Sequence, residues 1–234
     1  MSLKLRIKFT KHGEIKYIGH LDVMRYFQKL MRRSETDIAY TGGFSPHQKM
    51  SFALALGVGV ESDAEYMDIE VNSLKNCGDS LLELKRLLNL SSAAGMEIVD
   101  IGLLPEGSKN AMASVQAAAY EVGYSLKSQE FIRGFKLDKA IDSFNAAREI
   151  RVIKETKKKT TELNLREHVF KLKPLPEKDA VYMMISAGSV VNIKPAMVIR
   201  SLFELSGMQE KDFDEGLLKL KRLEIYDEEK KPLL

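Results

Sequence analysis

The fold is decided by the stretch LKLRIKFTKHGEIKYIGHLDVMRYFQKLMRR, residues 3–33. Residues 3–9 alternate apolar and basic side chains, and this period of two predicts a half-buried β-strand with a basic outer face. After a turn at His12-Gly13, apolar residues recur at helical spacing from about His20 to Arg33. The residues expected on the core face of this helix are Leu21, Met24, Phe27, Leu30 and Met31.

The elements outward from this stretch continue a mixed α and β pattern. Met50–Val60 is apolar and β-compatible, Ala64–Val71 alternates as a strand, Leu81–Leu90 is helical, and Met96–Leu104 returns as a strand. The resulting order of strand, helix, strand, strand, helix and strand resembles the split βαβ pattern of a ferredoxin-like domain. An acidic run is interpreted as the solvated face of a strand; its members are Asp63, Glu65, Asp68 and Glu70.

The second half of the chain repeats this order of elements. We expect strands at Ser114–Leu126, Glu149–Glu155, Glu162–Leu165 and Ala180–Ala187, helices at Gln129–Arg148 and Pro195–Leu205, and a strand or helix at Leu217–Tyr226. Turn residues at Pro105–Ser108 separate the halves. The sequence therefore predicts an α+β fold of two tandem ferredoxin-like (split βαβ) domains with mainly antiparallel sheets, an N-terminal domain at 1–106 and a C-terminal domain at 107–234.

The composition excludes several classes of protein. The single cysteine, Cys77, allows no disulfide within the chain and no self-contained iron–sulfur cluster, which usually needs about four thiolates. No apolar run approaches the roughly 20 residues of a membrane span. We therefore expect a soluble cytoplasmic protein with no membrane partner.

Common cofactor and metal motifs are also missing. The sequence Gly57-Val58-Gly59 lacks the third glycine of a dinucleotide-binding loop, because Ser62 stands there, and no P-loop occurs. The four histidines lack the spacing of a zinc site; they are His12, His20, His47 and His168. We expect neither a cofactor nor a metal.

Basic residues are concentrated in two blocks of a chain whose net charge is only +3. Residues 1–60 hold 10 basic and 4 acidic side chains, a net charge of +6. Residues 148–173 hold 9 basic and 4 acidic side chains, a net charge of +5. Residues 61–110 reverse the balance, with 4 basic and 10 acidic side chains. Localised positive blocks favour binding of an anion, such as the backbone of RNA.

The first basic block contains two candidate sites. His20 and Asp22 begin the predicted helix, where they can act as acid or base, or simply cap the helix. The loop Gly42–Lys49 offers paired glycines, an aromatic face and cations that suit a phosphate or an RNA loop, although its glycines can also serve turn geometry alone. The candidate nucleic-acid-binding residues of this block are Arg25, Lys29, Arg32, Arg33, Phe44 and Lys49.

The second basic block predicts a lysine-tipped hairpin between Arg151 and Glu162. Lysines in such a turn can clamp a phosphate backbone, because each neutralised phosphate releases counterions. They can equally protect the edge of a sheet from pairing with other strands. The candidate nucleic-acid-binding residues here are Lys154, Lys157, Lys158 and Lys159.

Several long motifs resemble those of the bacterial radical-SAM-linked proteins, a family without an assigned function. The matching stretches are Tyr17–Arg25, Ala39–Ala53, Gly57–Ser62, Glu65–Asp68 and Val152–Lys158. The resemblance implies a radical SAM enzyme as partner and a setting of RNA modification or ribosome-related processing, and it assigns no catalytic residue. Gln48 departs from the pattern, since members commonly have proline there.

Three functions remain open from the sequence, which does not decide whether the chain is an enzyme. The leading hypothesis is an RNA-binding accessory subunit for a radical SAM enzyme. The second is a metal-independent RNA-processing or RNA-modifying enzyme that uses His20 and His47 as acid and base, with Lys49 or Tyr17 nearby and Asp22 as a further catalytic candidate. The third is a protein–protein adaptor that does not bind nucleic acid.

Overall fold

The computed structural model describes residues 2–124, 137–156, 159–208 and 213–234. These residues form a mixed α+β fold with a mostly antiparallel sheet and five α-helices. They divide into two compact units, of which the first holds Met1–Gln116 with Arg222–Leu234 and the second holds Ala117–Lys221. The chain therefore returns to its first unit after completing the second.

Strands and helices alternate irregularly along the chain. The strands are β1 (Leu3–Lys11), β2 (Met50–Phe52), β3 (Glu61–Val71), β4 (Ile98–Leu103), β5 (Ala117–Tyr124), β6 (Arg151–Thr156), β7 (Lys159–Asn164), β8 (Val169–Leu175), β9 (Ala180–Ser186) and β10 (Leu218–Tyr226). The α-helices are α1 (His20–Arg33), α2 (Leu81–Leu90), α3 (Ala111–Ser114), α4 (Leu137–Ala146) and α5 (Pro195–Leu205).

Three helices predicted from periodicity are confirmed residue for residue as α1, α2 and α5. The helix predicted at 129–148 is observed as α4, and its first part falls on residues 125–136, outside the described residues. The segment predicted as a strand or a helix at 217–226 is the strand β10, which begins at Leu218. No strand was predicted at β8, where a register shift between Val169 and Lys171 breaks the alternation. Within the described ranges, no helix combines the length and the apolar character needed to cross a bilayer.

In the first unit, β1 is the central strand of an antiparallel sheet. Its neighbours are β3 and β4, so that Leu5 pairs with Ile69 on one side and Leu103 on the other. The strand order is β4-β1-β3, and β2 pairs with β3 at Met67–Ile69. The end of β10 also lies beside β3.

The core of the first unit includes side chains of this sheet and of helices α1 and α2. Phe9 and Phe27 meet edge to face with their ring centroids 4.6 Å apart, a favourable aromatic geometry. The prediction that Leu21 belongs to this core is wrong, since its side chain is 66% exposed. Val23 is buried instead, because residues two apart on a helix point to nearly opposite sides.

The other face of this sheet is not the solvated, charged surface expected from the sequence. Arg6 is buried, and its Nε donates to Asp68 Oδ1 over 2.8 Å. Arg6 Nη1 also donates to the carbonyl of Leu233, and the Ala111 N–H donates to Asp68 Oδ2. The C-terminal tail and α3 therefore cover this part of β1 and β3. The interpretations of a basic outer face on β1 and a fully solvated acidic run on β3 are both wrong here.

In the second unit, β5, β9 and β8 form an antiparallel sheet in that order. Helices α4 and α5 contact each other and bury Phe144 and Leu202. Pro195 stands in the first turn of α5, as predicted, where its missing N–H is not needed. The hairpin expected in the second basic block is observed as the antiparallel pair β6 and β7.

Candidate functional site

Helix α1 holds most of the exposed cations of the first basic block that have no ion pair among the described residues; Lys4, on β1, is also exposed and has none. Elsewhere in that block four cations are in ion pairs: Arg6 with Asp68, Lys8 with Glu224, Lys16 with Glu61, and Lys49 with Glu70. On α1, Lys29, Arg32 and Arg33 are exposed and have no ion pair among the described residues. Arg25 pairs only with Asp22, 3.1 Å away on the same exposed surface.

The loop 41–47 stands out from β3 on a closed base. The Thr41 N–H donates to the carbonyl of His47, and the His47 N–H donates to Thr41 Oγ1. Gly43, at φ +98°, turns the chain in a region that side chains rarely adopt. Phe44 follows at the tip and is fully exposed. The loop therefore presents an aromatic ring that packs on nothing in the described protein.

One polar network joins the base of this loop to α1. Gln48 Nε2 donates to Tyr40 Oη and to the carbonyl of Gln28 on α1, at 3.3 Å each. Arg32 Nε donates to the same Gln28 carbonyl over 3.2 Å. The exposed Arg32 and the half-exposed Tyr40 are thus linked through the Gln28 carbonyl and the Gln48 amide. Gln48 Oε1 is buried and has no hydrogen-bond partner among the described residues.

The N-terminal end of α1 adds a second group of exposed rings and apolar side chains. Tyr17 is 60% exposed, with Lys16 Nζ 5.4 Å from the centre of its ring. Leu21 and Val58 are also exposed. We call the following residues the α1 surface: Tyr17, Leu21, Arg25, Lys29, Arg32, Tyr40 and Phe44. Leu21, Arg25 and Arg32 follow one stripe of α1, because residues three or four apart share a helix face.

A buried ionic cluster of Lys11, Glu65 and Arg222 holds the connections beside α1. Arg222 Nη1 lies 2.8 and 2.9 Å from the two Glu65 carboxylate oxygens, and Arg222 Nη2 donates to the carbonyl of Ala55. Lys11 Nζ donates to the carbonyl of Ile18 over 2.9 Å, immediately before α1. The cluster therefore fixes the chain at both 16–18 and 55.

Burial dominates the electrostatics of this cluster. It lowers the pKa of Lys11 and raises the pKa of Glu65, while the mutual attraction of these two charges acts in the opposite direction on each. The Arg222 guanidinium opposes the rise in the pKa of Glu65 and adds to the fall in the pKa of Lys11. All three charged side chains are paired or hydrogen-bonded, as buried charges require. Their burial therefore indicates a structural role in this unit.

His20 lies beside this cluster, and the cavity that it lines is too small for a substrate. It lines a cavity of about 10 Å³ together with Lys11 and Glu65, and its ring lies 5.4 Å from that of Phe52. A cavity of this size holds about one water molecule. His47, on the exposed loop, is not among the lining residues, and no hydrogen bond or ring contact joins it to His20 within residues 2–124.

The other predicted site residues lie in separate places. Arg33 turns away from the α1 surface, since its Nη2 donates to the carbonyl of Ser91. Lys49 donates to Glu70 over 2.6 Å, which holds the pKa of that carboxyl below its usual range. Lys157 and Lys158 lie outside the described residues, and only the backbones of Lys154 and Lys159 are described, in β6 and β7.

Sequence reasoning missed the residues that connect these groups. Gln28 and Gln48 join the loop to α1, and no sequence pattern marks them because a backbone carbonyl is their meeting point. Arg222 lies far along the chain from Glu65, so that local patterns cannot pair them. The exposure of Leu21 could have been predicted from the helical period, because Leu21 and Val23 point to nearly opposite sides of the helix and only one of them can face the core.

The second unit contains one further polar pair of possible chemical interest. His168 Nδ1 lies 3.1 Å from Ser186 Oγ. Ser186 is buried on β9, and no carboxylate is found on the histidine to complete a nucleophilic triad in the described part of the chain. Among the described residues, no group of three or more His, Cys, Asp and Glu side chains is arranged to hold a metal.

Residues 4–195 match the family DUF2344, described as an uncharacterized protein conserved in bacteria. The chain belongs to this family. The match includes all of α1, the loop 41–47 and Glu65, and it ends before Arg222. The family description names no reaction, ligand or radical SAM enzyme. A comparison with curated proteins gives no significant match.

Proposed function

We propose that the chain is an RNA-binding accessory protein that contacts RNA through its α1 surface. The observation that carries the proposal is the shared hydrogen bonding of Arg32 and Gln48 to the Gln28 carbonyl, since Gln48 also binds Tyr40 and so links an exposed cation to an exposed aromatic residue. Cations that neutralise phosphates, next to aromatic faces on which bases stack, are the combination that binds RNA.

The distribution of charge supports the same surface. Carboxylates of β3 and β10 pair with Arg6 and Lys8 of β1. Of the exposed cations of residues 1–60 that have no ion pair among the described residues, Lys29, Arg32 and Arg33 lie on α1 and only Lys4 lies on β1. Lys29 and Arg32 have no ion pair within the described part of the chain, and the exposed pair of Arg25 with Asp22 is weak enough to open for a phosphate.

Charge reversal tests this function. We expect the triple variant R25E/K29E/R32E to lose most of its affinity for total cellular RNA, measured by fluorescence anisotropy across a salt series. For single strands, each lost phosphate contact lowers the slope of log K against log salt by roughly 0.7. The salt slope of the variant should therefore be clearly shallower than that of the wild type.

The matched control carries the same change of charge elsewhere. Lys75, Lys139 and Lys219 are exposed and lie outside the α1 surface, so K75E/K139E/K219E should keep most of the affinity and the slope. Circular dichroism of both variants establishes that they are folded. Equal losses in the two triple variants would contradict a specific α1 surface and leave only a bulk charge effect.

The remaining parts of the proposal rest on the sequence. The resemblance of 17–25 and 39–53 to radical-SAM-linked proteins supports a cytoplasmic radical SAM enzyme as partner, to be tested by co-purification with that enzyme. The lysine-rich hairpin supports a second RNA contact at Lys154, Lys157, Lys158 and Lys159, to be tested by K157E/K158E/K159E.

We also propose that both units are ferredoxin-like. In such a domain the strands lie in the order 4-1-3-2 with helices after the first and third. In the first unit, the order β4-β1-β3 with β2 paired to β3 matches the 4-1-3-2 pattern directly. In the second unit, β5, β9 and β8 match the last three positions of the pattern if they are its first, third and second strands. This supports the predicted tandem arrangement.

The enzymatic alternative has weaker support. His20 lies beside two ionisable side chains, Lys11 and Glu65, which is an arrangement found at catalytic sites. The cavity has room for a water molecule but not for a nucleotide, and His47 is not part of its lining. An RNA-processing activity abolished by both H20A and H47A would favour this alternative.

A further inference from the structure

We propose that the RNA bound by the α1 surface is single-stranded and that an unpaired base stacks on Phe44. This inference rests on the proposed function and adds the class of RNA. In this inference, Phe44 at the tip of the loop 41–47 and the cations of α1 bind the same RNA strand.

The position of Phe44 favours a base as its partner. A single exposed apolar side chain is common on protein surfaces and has no meaning by itself. Here, however, the ring projects from a loop closed by two hydrogen bonds between Thr41 and His47. The stem of that loop is tied through Gln48 to α1, where Arg32 is displayed. The ring is therefore presented at the edge of a cationic surface.

Two tyrosines extend the same arrangement. Tyr40 is 50% exposed at the stem of the loop, and Tyr17 is exposed at the N-terminal end of α1. The 14 residues of α1 span roughly 21 Å, at about 1.5 Å per residue. Aromatic faces thus stand near both ends of a row of cations. A flexible strand can place phosphates along that row and bases on the rings.

The accessibility of base faces selects single strands over duplexes. In a duplex each base is stacked between its neighbours, so an exposed ring cannot reach its face without breaking base pairs. The major groove of duplex RNA is also too deep and narrow for side chains to read. Stacking on aromatic side chains, by contrast, is the usual way in which proteins hold unpaired bases.

The test compares three labelled RNA ligands of one length, of which the duplex carries twice as many phosphates as either single strand, so that charge alone would favour the duplex. They are an unstructured strand of about 12 nucleotides, within the usual site sizes, its blunt duplex, and the same strand with abasic sites in its centre. We expect the wild-type protein to bind the intact strand most tightly by fluorescence anisotropy. F44A should weaken binding of that strand by roughly 5- to 150-fold and leave the salt slope unchanged.

Two substitutions of the same residue separate stacking from apolar contact. F44Y keeps an aromatic face and should retain the affinity, whereas F44L keeps an apolar side chain and should lose it. Neither should alter folding, because Phe44 contacts nothing in the described protein.

The outcomes distinguish this inference from the proposed function. If R25E/K29E/R32E loses affinity but the duplex binds as well as the strand, or F44A binds like the wild type, the single-strand inference is wrong and the RNA-binding function stands. Equal binding of the abasic strand would likewise overturn stacking. If none of the ligands binds at low salt, both proposals are wrong, and the surface is left for a protein partner.

Discussion

Several residues of the first unit lie against the usual preference of their type. Phe44 is fully exposed, whereas Glu65 and Arg222 are only 4% and 3% exposed. Charged side chains are almost never fully buried unless they are paired, and these two form a two-point ion pair. Glu65 and Arg222 therefore have a structural role, whereas the exposed ring of Phe44 is available for binding.

The ion pair of Lys49 and Glu70 makes stability depend on pH. Because Lys49 lowers the pKa of Glu70 in the folded state, its stabilisation is present above the ordinary pKa of glutamate and is lost as the pH falls through the lowered value. We expect K49Q to destabilise the protein by up to about 1 kcal/mol at pH 7 and by less near pH 3. Urea unfolding at both values tests this; a pH-independent difference would contradict it.

At the scale of the elements, the chain just before β4 packs tightly against the chain just after β1. The His12 N–H donates to the carbonyl of Gly95 over 2.8 Å, just beyond the end of β1. Gly95 has a φ of +87°, and a Cβ there would collide with the carbonyl oxygen of His12. Only glycine satisfies both conditions, so this contact is a requirement of the fold.

Replacing Gly95 tests this constraint. We expect G95A to lower the free energy of unfolding by roughly 2–5 kcal/mol, through backbone strain together with overpacking. G107A is the matched control, since Gly107 has a φ of +80° with no atom near its added Cβ, and it should cost only about 1–2 kcal/mol. Equal losses in thermal unfolding would show that the contact with His12 is unimportant.

In the molecule as a whole, the acidic and basic blocks of the sequence cancel across the first unit. The cations of β1 meet carboxylates of β3 and β10, as in the pair of Arg6 with Asp68 and that of Lys8 with Glu224. The C-terminal segment 222–234 contributes Arg222, Glu224 and the carbonyl of Leu233 to this network. The first unit is therefore complete only when the end of the chain returns to it.

The pair of Arg222 with Glu65 tests the importance of this return. R222M leaves a buried carboxylate unpaired and should destabilise the first unit by roughly 3–5 kcal/mol at pH 7. Burial already raises the pKa of Glu65, and loss of the guanidinium raises it further. The penalty should therefore shrink as the pH falls through the ordinary glutamate range, where the unfolded state also binds the proton.

Chemical unfolding at pH 7 and pH 4 measures this penalty. The double variant E65M/R222M removes both charges and should recover most of the lost stability, because well-packed apolar side chains can replace a buried ion pair. If R222M were as stable as the wild type at pH 7, the pair of Arg222 with Glu65 would not contribute to the stability of the first unit.

The sequence by itself determined the elements whose signal is local. The helices α1, α2 and α5 follow from apolar periodicity, and β1 follows from its alternation, because these patterns depend on neighbours within one or two turns. The same reasoning found the cations of α1 and the exposed character of the loop 41–47. These are the groups on which the proposed function depends.

Only the tertiary structure decided which charges remain free. Glu65 and Arg222 are 157 residues apart in the chain, and Arg32 meets Gln48 only through a backbone carbonyl. Ion pairing and burial depend on distance in space. A count of charges along the chain therefore predicted a basic surface on β1, whereas Arg6 and Lys8 are paired with carboxylates of β3 and β10. The α1 surface is what remains after that cancellation.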